Sequence, residues 1–396
     1  MVCHPHLSAG GTENQPRLSP YDPAMTDQGL GSGPDHPGAH RSAPLDEIGC
    51  YLMAGAAPDP AEVIVEARRA EELGFGTAFV SERFNVKEAI ASSGAAVAAT
   101  DRIRVATAAT NHNTRHPLVT ASAAMTLHRM SAGRFTLGLG RGIDPVFDMA
   151  GIEHITTAQM EDFVGIMRRL WRGEMVAGHD GPAGSWPLLH LGSPGGGVTF
   201  DDHIPMLLCA FGPRSLALAG RCFDQVVLHT FFTDETTERA VRTVRDAAER
   251  AGRDPASVEV WACLATVGDH LDPDAQLRKT VGRMATYLQG YGELMVSTNR
   301  WDPALLDRFR DDVTVRSFLS AIDATATTEQ LEAIAAAVPE EWLAPAATGS
   351  PQRCAESVAA QFDLGVDGVI MHGCTPDELA PVRDAYAEIT LGGQDV

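Results

Sequence analysis

Three glycine-containing motifs, each at the end of a predicted strand or the start of a predicted helix, have the chemistry of an anion site. They are Gly140-Arg141-Gly142, Gly212-Pro213-Arg214-Ser215 and Thr348-Gly349-Ser350-Pro351. Free backbone amides at a helix entrance attract anions, and proline suits the first helical turn. Arginine adds a fixed positive charge whose geometry matches phosphate. Any one of these motifs is also a common helix entry, but the three together predict a phosphorylated ligand.

Two polar loops follow consecutive predicted strands. Glu82 and Arg83 lie in the first loop, and Thr110, Asn111 and His112 lie in the second. In a barrel of parallel strands the carboxyl ends of the strands carry the chemistry, so both loops would face the active site. The alternative for Glu82 and Arg83 is an ion pair at a helix entrance.

Metal and hydrolytic chemistry have weaker support. His112 and His116 are four residues apart, but Pro117 begins a helix, so the two rings do not share a helix face. No carboxylate spacing completes a zinc site, and no metal is predicted. No Gly-x-Ser-x-Gly elbow marks a nucleophilic serine. The seven scattered cysteines include no Cys-x-x-Cys pair, which favours reduced thiols in a cytosolic protein.

Composition narrows the range of partners. The 396 residues carry a net charge of −21, which argues against nucleic acid or an anionic membrane surface as the main partner. No apolar run is long enough to span a bilayer, and the first residues lack the apolar core of a signal peptide. We therefore expect a cytoplasmic protein with a small-molecule substrate, and neither a nucleic-acid nor a membrane partner.

Apolar runs bounded by turn residues predict eight strands that alternate with helices. The predicted strands are Ile48–Met53, Phe75–Val80, Ile103–Ala109, Phe135–Leu139, Ile204–Ala210, Gln225–His229, Val258–Val267 and Gly368–Met371. This alternation indicates parallel strands with right-handed crossovers, and eight such units predict a (β/α)8 TIM barrel of the α/β class. A doubly wound sheet is the alternative, but residues 53–57 after the first strand lack the glycine spacing of a dinucleotide site.

Three segments do not follow the barrel pattern. Residues 1–45 are rich in Pro, Gly, Ser, His and Asp, and they are predicted to be a disordered tail. The barrel is expected to occupy residues 46–396. Within it, the Gly- and Pro-rich insertion 173–202 is predicted to form a surface hairpin. Residues 272–345 are mostly helical and too long for one crossover, so they are predicted to form a cap before the last strand.

Five motifs together resemble one known family. In order along the chain they read AEELGFGTAFVSERF, TNHNTRHP, SAGRFTLGLGRG, GPRSLALAG and GSPQRCAESVAAQFDLGVDGVIMHG. From about residue 46 onwards, the motifs and their order are similar to those of the bacterial luciferase-like superfamily. TNHNTRHP resembles the branch that uses the deazaflavin coenzyme F420, notably the methylenetetrahydromethanopterin reductases.

The resemblance implies a cofactor site. Family members often have a non-proline cis peptide bond behind the deazaflavin ring, and the matching bond here joins Ala108 to Ala109. Thr110, Asn111 and His112 would line the ring or its side chain. The phosphate and the polar tail would lie against Gly140, Arg141, Gly142, Gly212, Pro213, Arg214 and Ser215.

Glu82 and Arg83 are the catalytic candidates that the resemblance implies. Glu82 matches a carboxylate that meets the edge of the cofactor ring in relatives. Relatives that oxidise sugar phosphates have a histidine where this chain has Arg83 and a glutamate where it has Ile143. Arginine stays protonated, so Arg83 cannot act as a general base and would instead orient an anionic substrate. Glu82 is then the candidate for proton transfer, if burial raises its pKa.

The expected activity is hydride transfer between coenzyme F420 and an unidentified small organic substrate. Tyr287, Tyr291 and Trp301 of the cap would line the substrate pocket. Two alternatives stay open, namely an FMN-dependent luciferase-like monooxygenase of the same fold and a non-catalytic barrel that binds the cofactor. The family also implies a homodimer.

Overall fold

Parallel strands lie at the centre of the computed structural model, which describes residues 45–55, 57–192, 200 and 203–391. The strands are β1 (Leu45–Tyr51), β2 (Phe75–Val80), β3 (Arg104–Thr107), β4 (Phe135–Leu139), β5 (Val176–Gly181), β6 (Gly184–Leu189), β7 (Met206–Cys209), β8 (Gln225–Val227), β9 (Glu259–Gly268), β10 (Ala347–Gly349) and β11 (Gly368–His372). β2 and β4 are buried at every position. Such continuous apolar runs are typical of parallel strands covered on both faces.

Eight of the described strands close into a barrel. Neighbouring strands follow the order β11-β1-β2-β3-β4-β7-β8-β9, and β9 also pairs with β11, so the sheet returns to its start. Each of these pairs is parallel. The prediction of a (β/α)8 barrel is therefore confirmed. β10 lies beside β9, and β5 pairs with β6 in an antiparallel hairpin.

Helices connect the strands and build the cap. They are α1 (Glu62–Glu72), α2 (Ala89–Ala99), α3 (Pro117–Met130), α4 (Asp144–Ala150), α5 (Thr157–Trp171), α6 (Pro213–Cys222), α7 (Asp234–Arg250), α8 (Pro273–Leu277), α9 (Arg283–Asn299), α10 (Pro303–Asp311), α11 (Val313–Arg316), α12 (Ile322–Thr325), α13 (Thr328–Ala337), α14 (Glu340–Leu343), α15 (Pro351–Asp363) and α16 (Pro376–Leu391). Large side chains fill the barrel interior, among them Phe79, Leu207, Trp261 and Ile370. This packing fixes the strand ends, and the loops that follow them carry the candidate site.

Helices α8 to α14 form the cap between β9 and β11. Their apolar side chains make a core of their own, which includes Met284, Leu288, Phe309 and Trp342. A π-helical turn, Arg278–Gly282, leads into α9. Such turns in helices are frequent at functional sites.

Two predicted segments fall partly outside the described residues. The predicted tail, residues 1–45, lies outside them except for Leu45, which begins β1. In the predicted insertion, residues 193–199 and 201–202 also lie outside. Of the helices in the described ranges, none is both long and apolar enough to cross a membrane.

Candidate active site

The peptide bond between Ala108 and Ala109, directly after β3, is a non-proline cis bond, which confirms the prediction. The N–H of Ala108 donates to the carbonyl of Val80 over 2.8 Å. The carbonyl of Ala109 accepts from the N–H of Glu82 over 3.1 Å. Both contacts join this stretch to β2 and to the loop after it.

Glu82 is bound by three donors. Its Oε2 accepts from Oγ1 of Thr110 and from Nη2 of Arg115, both over 2.9 Å. Its Oε1 accepts from the N–H of Ala89 over 3.0 Å, at the start of α2. Only 5% of the side chain is exposed. With both oxygens engaged, Glu82 ties the loop after β2 to the loop after β3.

Two hydrogen bonds join the loop after β3 to the loop after β4. Nδ2 of Asn111 donates to the carbonyl of Gly140 over 2.9 Å, and the N–H of Gly140 donates to the carbonyl of Thr110 over 2.8 Å. Gly142 has a φ of +75°, and a Cβ there would lie 2.2 Å from Cζ of Phe147. The predicted residues of these two loops are therefore brought together.

His112 is buried beside this junction. Its ring stacks on Phe163 with the centroids 4.9 Å apart, and burial lowers its pKa to about 4, so the ring is neutral near pH 7. Nε2 has no hydrogen-bond partner within the described part of the chain. The ring also lines a cleft of about 450 Å³ together with Trp186 of the hairpin. A buried ring nitrogen without a partner is a candidate contact for a ligand.

A wider cleft of about 660 Å³ lies where the loop after β4 meets the starts of α5 and α6. It is called the basic cleft here, and its lining residues are Arg141, Ile155, Thr156, Thr157, Ala158, Pro213, Arg214, Ala217 and Arg221. The Arg141 guanidinium donates to Oγ1 of Thr157, and Arg221 pairs with Glu161 over 2.8 Å. Arg214 has no hydrogen bond or ion pair from its guanidinium to any described residue.

Two cations of the basic cleft act on one another. Burial lowers the pKa of Arg141, and the neighbouring charge of Arg214 adds to this effect while Asp144 opposes it. Arginine nevertheless stays charged near neutral pH. Two positive charges held close together favour an anion between them.

The start of α6 opens into the basic cleft. Gly212 is the N-cap residue and offers no side chain to the free amides. The Ser215 hydroxyl is also engaged elsewhere, because it donates to the carbonyl of Gly212 over 2.9 Å and accepts from the N–H of Phe211 over 3.2 Å. The first-turn amides of α6 therefore remain available to an anion.

The third glycine motif behaves as an ordinary helix entry. Ser350 caps α15, because its hydroxyl accepts from the N–H of Arg353 over 3.3 Å. The carbonyl of Gly349 accepts from the N–H of Asp269 over 2.7 Å. None of the residues 348–351 lines the basic cleft. The structure thus brings two of the three predicted motifs together.

Arg83 and Lys87 hold the loop after β1. The Arg83 guanidinium donates to the carbonyl of Gly55. Nζ of Lys87 donates to the carbonyls of Leu52 and Met53 over 2.7 and 3.1 Å. Burial lowers the pKa of Arg83, and it lowers the pKa of Lys87 to about 7. Arg83 therefore has a structural contact in addition to the substrate contact predicted for it.

Rings line the mouth of the barrel beneath α9. The set is called the aromatic recess and consists of Tyr51, Phe211, His229, Tyr287, Tyr291 and His372, all of them half-buried. Burial nonetheless lowers the pKa of both histidines. These six side chains are surrounded by protein but keep some accessible surface, so they line a recess and not the outer surface. Tyr287 and Tyr291 were predicted here, whereas Trp301 instead stacks on Trp342 in the cap.

The sequence indicated neither histidine of the recess as a site residue. His229 ends the predicted strand Gln225–His229, and His372 directly follows the predicted strand Gly368–Met371. Their position at the carboxyl ends of barrel strands was the available signal. Their tyrosine partners come from α9 in the cap, so the pairs become visible only in the folded chain.

A closed (β/α)8 barrel with polar loops at its strand ends defines a class of enzymes with many chemistries. Within that class, residues 39–368 match the model of the family described as luciferase-like monooxygenase. The chain belongs to this family.

Individual relatives differ in the reactions for which they are named. The chain is 26% identical over 311 residues to the 5,10-methylenetetrahydromethanopterin reductase of Methanolobus tindarius. The matched region covers 77% of this chain and 87% of that protein. The fold is similar to the coenzyme F420-dependent tetrahydromethanopterin reductase from Methanopyrus kandleri, with a TM-score of 0.68, 19% identity, and 86% and 97% of the two chains covered. It is also similar to a monooxygenase from Streptomyces bottropensis, with a TM-score of 0.59, 20% identity, and 88% and 99% covered.

Proposed function

We propose that this protein is an oxidoreductase that transfers a hydride between coenzyme F420 and a small organic substrate. The observation that carries the proposal is the basic cleft beside the loops after β3 and β4. Coenzyme F420 has a phosphodiester and a tail of glutamates, whereas FMN ends in a single phosphate. Arg141, Arg214 and the uncapped start of α6 match a ligand with several anionic groups. The similarity to the Methanolobus tindarius reductase adds support.

The residues after β3 fit the flat part of such a cofactor. Ala108 and Ala109 have small side chains, so a planar ring can approach their backbone closely. Nε2 of His112 is buried without a partner among the described residues, which is the state expected of an atom that binds a ligand. In this proposal Thr110 and Asn111 complete the wall that faces the ring.

Coenzyme F420 supplies or accepts a hydride when it is bound. The protein binds its anionic end with Arg141 and Arg214, and the loops after β3 and β4 orient the rest. The cap covers the recess below it and limits the access of water. Both oxygens of Glu82 are engaged, so its proposed role is to position these loops. The proposed role of Arg83 is to donate a hydrogen bond to the substrate. A homodimer remains a prediction from the family resemblance, and a cytoplasmic location remains a prediction from the composition.

An FMN-dependent monooxygenase is the second candidate function. The similarity to the monooxygenase from Streptomyces bottropensis favours it. A single phosphate can be held between Arg141 and Arg214, whereas coenzyme F420 brings a phosphodiester and glutamate carboxylates to the same cleft. The two candidates therefore differ in the number of anionic groups that the basic cleft has to hold.

The proposal is tested by removing Arg214, whose guanidinium has no partner among the described residues. We expect Arg214→Ala to weaken F420 binding about tenfold or more, because a charge-assisted contact is lost. The matched control is Arg221→Ala, since the Arg221 guanidinium is already paired with Glu161. Calorimetric titration with oxidised F420 measures both variants. Equal affinities for the Arg214→Ala variant and the wild type would contradict the proposal.

A further inference from the structure

One hydrogen bond links the cap to the barrel inside the aromatic recess. Nε2 of His229 lies 3.0 Å from the Tyr291 hydroxyl, and Nδ1 lies 2.9 Å from the carbonyl of Thr230. A carbonyl only accepts, so Nδ1 carries the proton and Nε2 accepts from Tyr291. Burial lowers the pKa of His229 to about 4, which agrees with a neutral ring. The Tyr291 oxygen is left with lone pairs that can accept a hydrogen bond from a ligand.

The backbone of α9 is distorted where it presents this hydroxyl. Tyr291 has φ −156° and ψ 40° inside the helix, between Gly290 and Gly292. Its ring stacks on Tyr287 with the centroids 5.5 Å apart, and Cζ of Arg283 lies 5.8 Å from the Tyr287 centroid. Sharp local departures from helical geometry concentrate at functional sites. The kink thus falls at the residue whose hydroxyl bonds to His229 of the barrel.

Positive charge is in excess around the recess. Burial lowers the pKa of Arg83, and the neighbouring charge of Arg283 lowers it further. The nearby carboxylate of Asp323 is already paired with Arg283 over 2.8 Å. Asp323 also accepts from the Thr286 hydroxyl over 3.0 Å. An oxygen that becomes negative during the reaction is stabilised in such a field, whereas a cationic iminium group is not.

The recess lies next to the start of α6, whose residues Pro213 and Arg214 line the basic cleft. Phe211 directly precedes Gly212 of the second glycine motif. Its ring lies 4.3 Å from the His229 ring and 5.7 Å from the Tyr291 ring, measured between centroids. A cofactor whose anionic end occupies the basic cleft therefore lies next to the recess.

We propose that Tyr291 is the proton-transfer residue of this site, oriented by His229, and that the recess takes an uncharged alcohol with an apolar body or the carbonyl compound formed from it. The inference rests on the proposed function, which supplies the hydride acceptor. Hydride transfer at a carbon requires proton transfer at the oxygen attached to it, and the Tyr291 oxygen is a neutral group that can serve this need. The rings of Tyr51 and Phe211 suit an apolar substituent.

The atoms balance in the oxidising direction. The C–H bond of the alcohol carbon would break, and the hydride would leave with both electrons. Oxidised F420, held at its anionic end by Arg141 and Arg214, would be the two-electron acceptor. The O–H bond of the alcohol breaks as C=O forms, and its proton passes to the Tyr291 oxygen. The proton of Tyr291 passes to Nε2 of His229 and from there to solvent. Carbonyl reduction runs through the same steps in reverse.

Binding to the cofactor-free protein tests the inference without turnover. The probes are 1-phenylethanol and ethylbenzene, which differ by the hydroxyl group, and the measured quantity is the ratio of their affinities. We expect Tyr291→Phe to shift this ratio against the alcohol by about threefold to tenfold, as for one hydrogen bond. The matched control is Tyr386→Phe, whose hydroxyl bonds to Glu47 over 3.1 Å and should leave the ratio unchanged. An unchanged ratio in the Tyr291→Phe variant overturns the inference.

Turnover of 1-phenylethanol with oxidised F420 gives a second readout. Tyr291→Phe is expected to lower kcat by about a hundredfold or more while KM changes less. His229→Asn and His229→Gln should both lower kcat as well, because an amide oxygen can accept a hydrogen bond from Tyr291 but cannot take up its proton. Failure of the wild type to bind F420 overturns the proposed function. The ratio of the affinities for 1-phenylethanol and ethylbenzene is measured without F420, so it decides this inference whether or not F420 binds.

Discussion

Glu82 and Glu88 share one guanidinium, that of Arg115, but they differ in burial. The Glu82 side chain is 5% exposed and the Glu88 side chain is 46% exposed. Removing a hydrogen-bonded charge from a buried site leaves its partners unsatisfied, whereas an exposed pair is screened by water. The two carboxylates therefore provide a matched comparison of a positioning contact with a surface contact.

We predict that Glu82→Gln lowers the free energy of unfolding by about 2 kcal/mol and that Glu88→Gln lowers it by less than about 1 kcal/mol. A glutamine at position 88 can still accept from the N–H of Ala91, which the Glu88 side chain caps. Urea unfolding of both variants near neutral pH measures the difference. Equal losses would show that Glu82 does not hold the loops after β2 and β3.

Lys87 predicts a dependence of stability on pH. Burial lowers its pKa from 10.5 to about 7 in the folded protein, with Arg83 and Arg283 lowering it further and Glu66 opposing them. Between these two values the unfolded chain binds more protons than the folded one, so stability rises with pH. Below about pH 7 both states are protonated, and the full cost of burying the charge remains.

The test compares the wild type with Lys87→Met, which lacks the titrating group. We expect the difference in free energy of unfolding, wild type minus variant, to rise between about pH 7 and pH 9 by up to about 1.4 kcal/mol per pH unit. Urea unfolding over this range measures it. Parallel pH profiles of the two proteins would mean that Lys87 keeps its ordinary pKa when the protein is folded.

At the scale of elements, β3 and β4 approach each other closely beneath the loops of the site. Oγ1 of Thr107 donates to the carbonyl of Gly138 over 2.8 Å and accepts from the N–H of Gly138 over 2.8 Å. A Cβ at position 138 would lie 1.7 Å from the carbonyl oxygen of Thr107. No real pair of atoms tolerates this separation, so a larger residue has to push the strands apart.

Gly138→Ala is therefore expected to destabilise the barrel by about 3 kcal/mol or more and to abolish cofactor binding. Gly165→Ala is the control, because Gly165 lies exposed in α5 with nothing within 4 Å of the added Cβ. Alanine in a helix is favoured over glycine, so this variant should gain about 0.5–1 kcal/mol. Thermal unfolding and F420 titration measure both variants, and a stable Gly138→Ala variant would contradict the packing described.

Most elements of the barrel could be predicted because their boundaries carry local signals. β2 and β4 have the predicted bounds and α3 begins at Pro117 as predicted, since glycine, proline or charged turns stand at these boundaries. Helix α4 was not predicted, because it is only seven residues long and buries only Phe147, so it shows no apolar periodicity. Arg141 and Arg214 could be named from their motifs, whereas the pairing of His229 with Tyr291 joins positions 62 residues apart.

At the scale of the whole molecule, an acidic chain carries a basic cleft. The net charge is −21, yet Arg141, Arg214 and Arg221 line one cleft at the carboxyl ends of β4 and β7. Alternating strands and helices predict the barrel, and the barrel in turn brings the loops together. The sequence alone could not show that the Thr348–Pro351 motif stays apart, because its separation from the cleft depends on where the cap returns the chain to β11.

The choice between F420 and FMN tests the central proposal most directly. Purified wild-type protein is titrated with oxidised F420 and with FMN in parallel, each at low and at high salt. We predict that F420 binds at least about tenfold more tightly than FMN and that its affinity falls more steeply with salt, because it offers more anionic groups to Arg141 and Arg214. Tighter binding of FMN, or binding of neither compound, would contradict the assignment of this barrel to F420 chemistry.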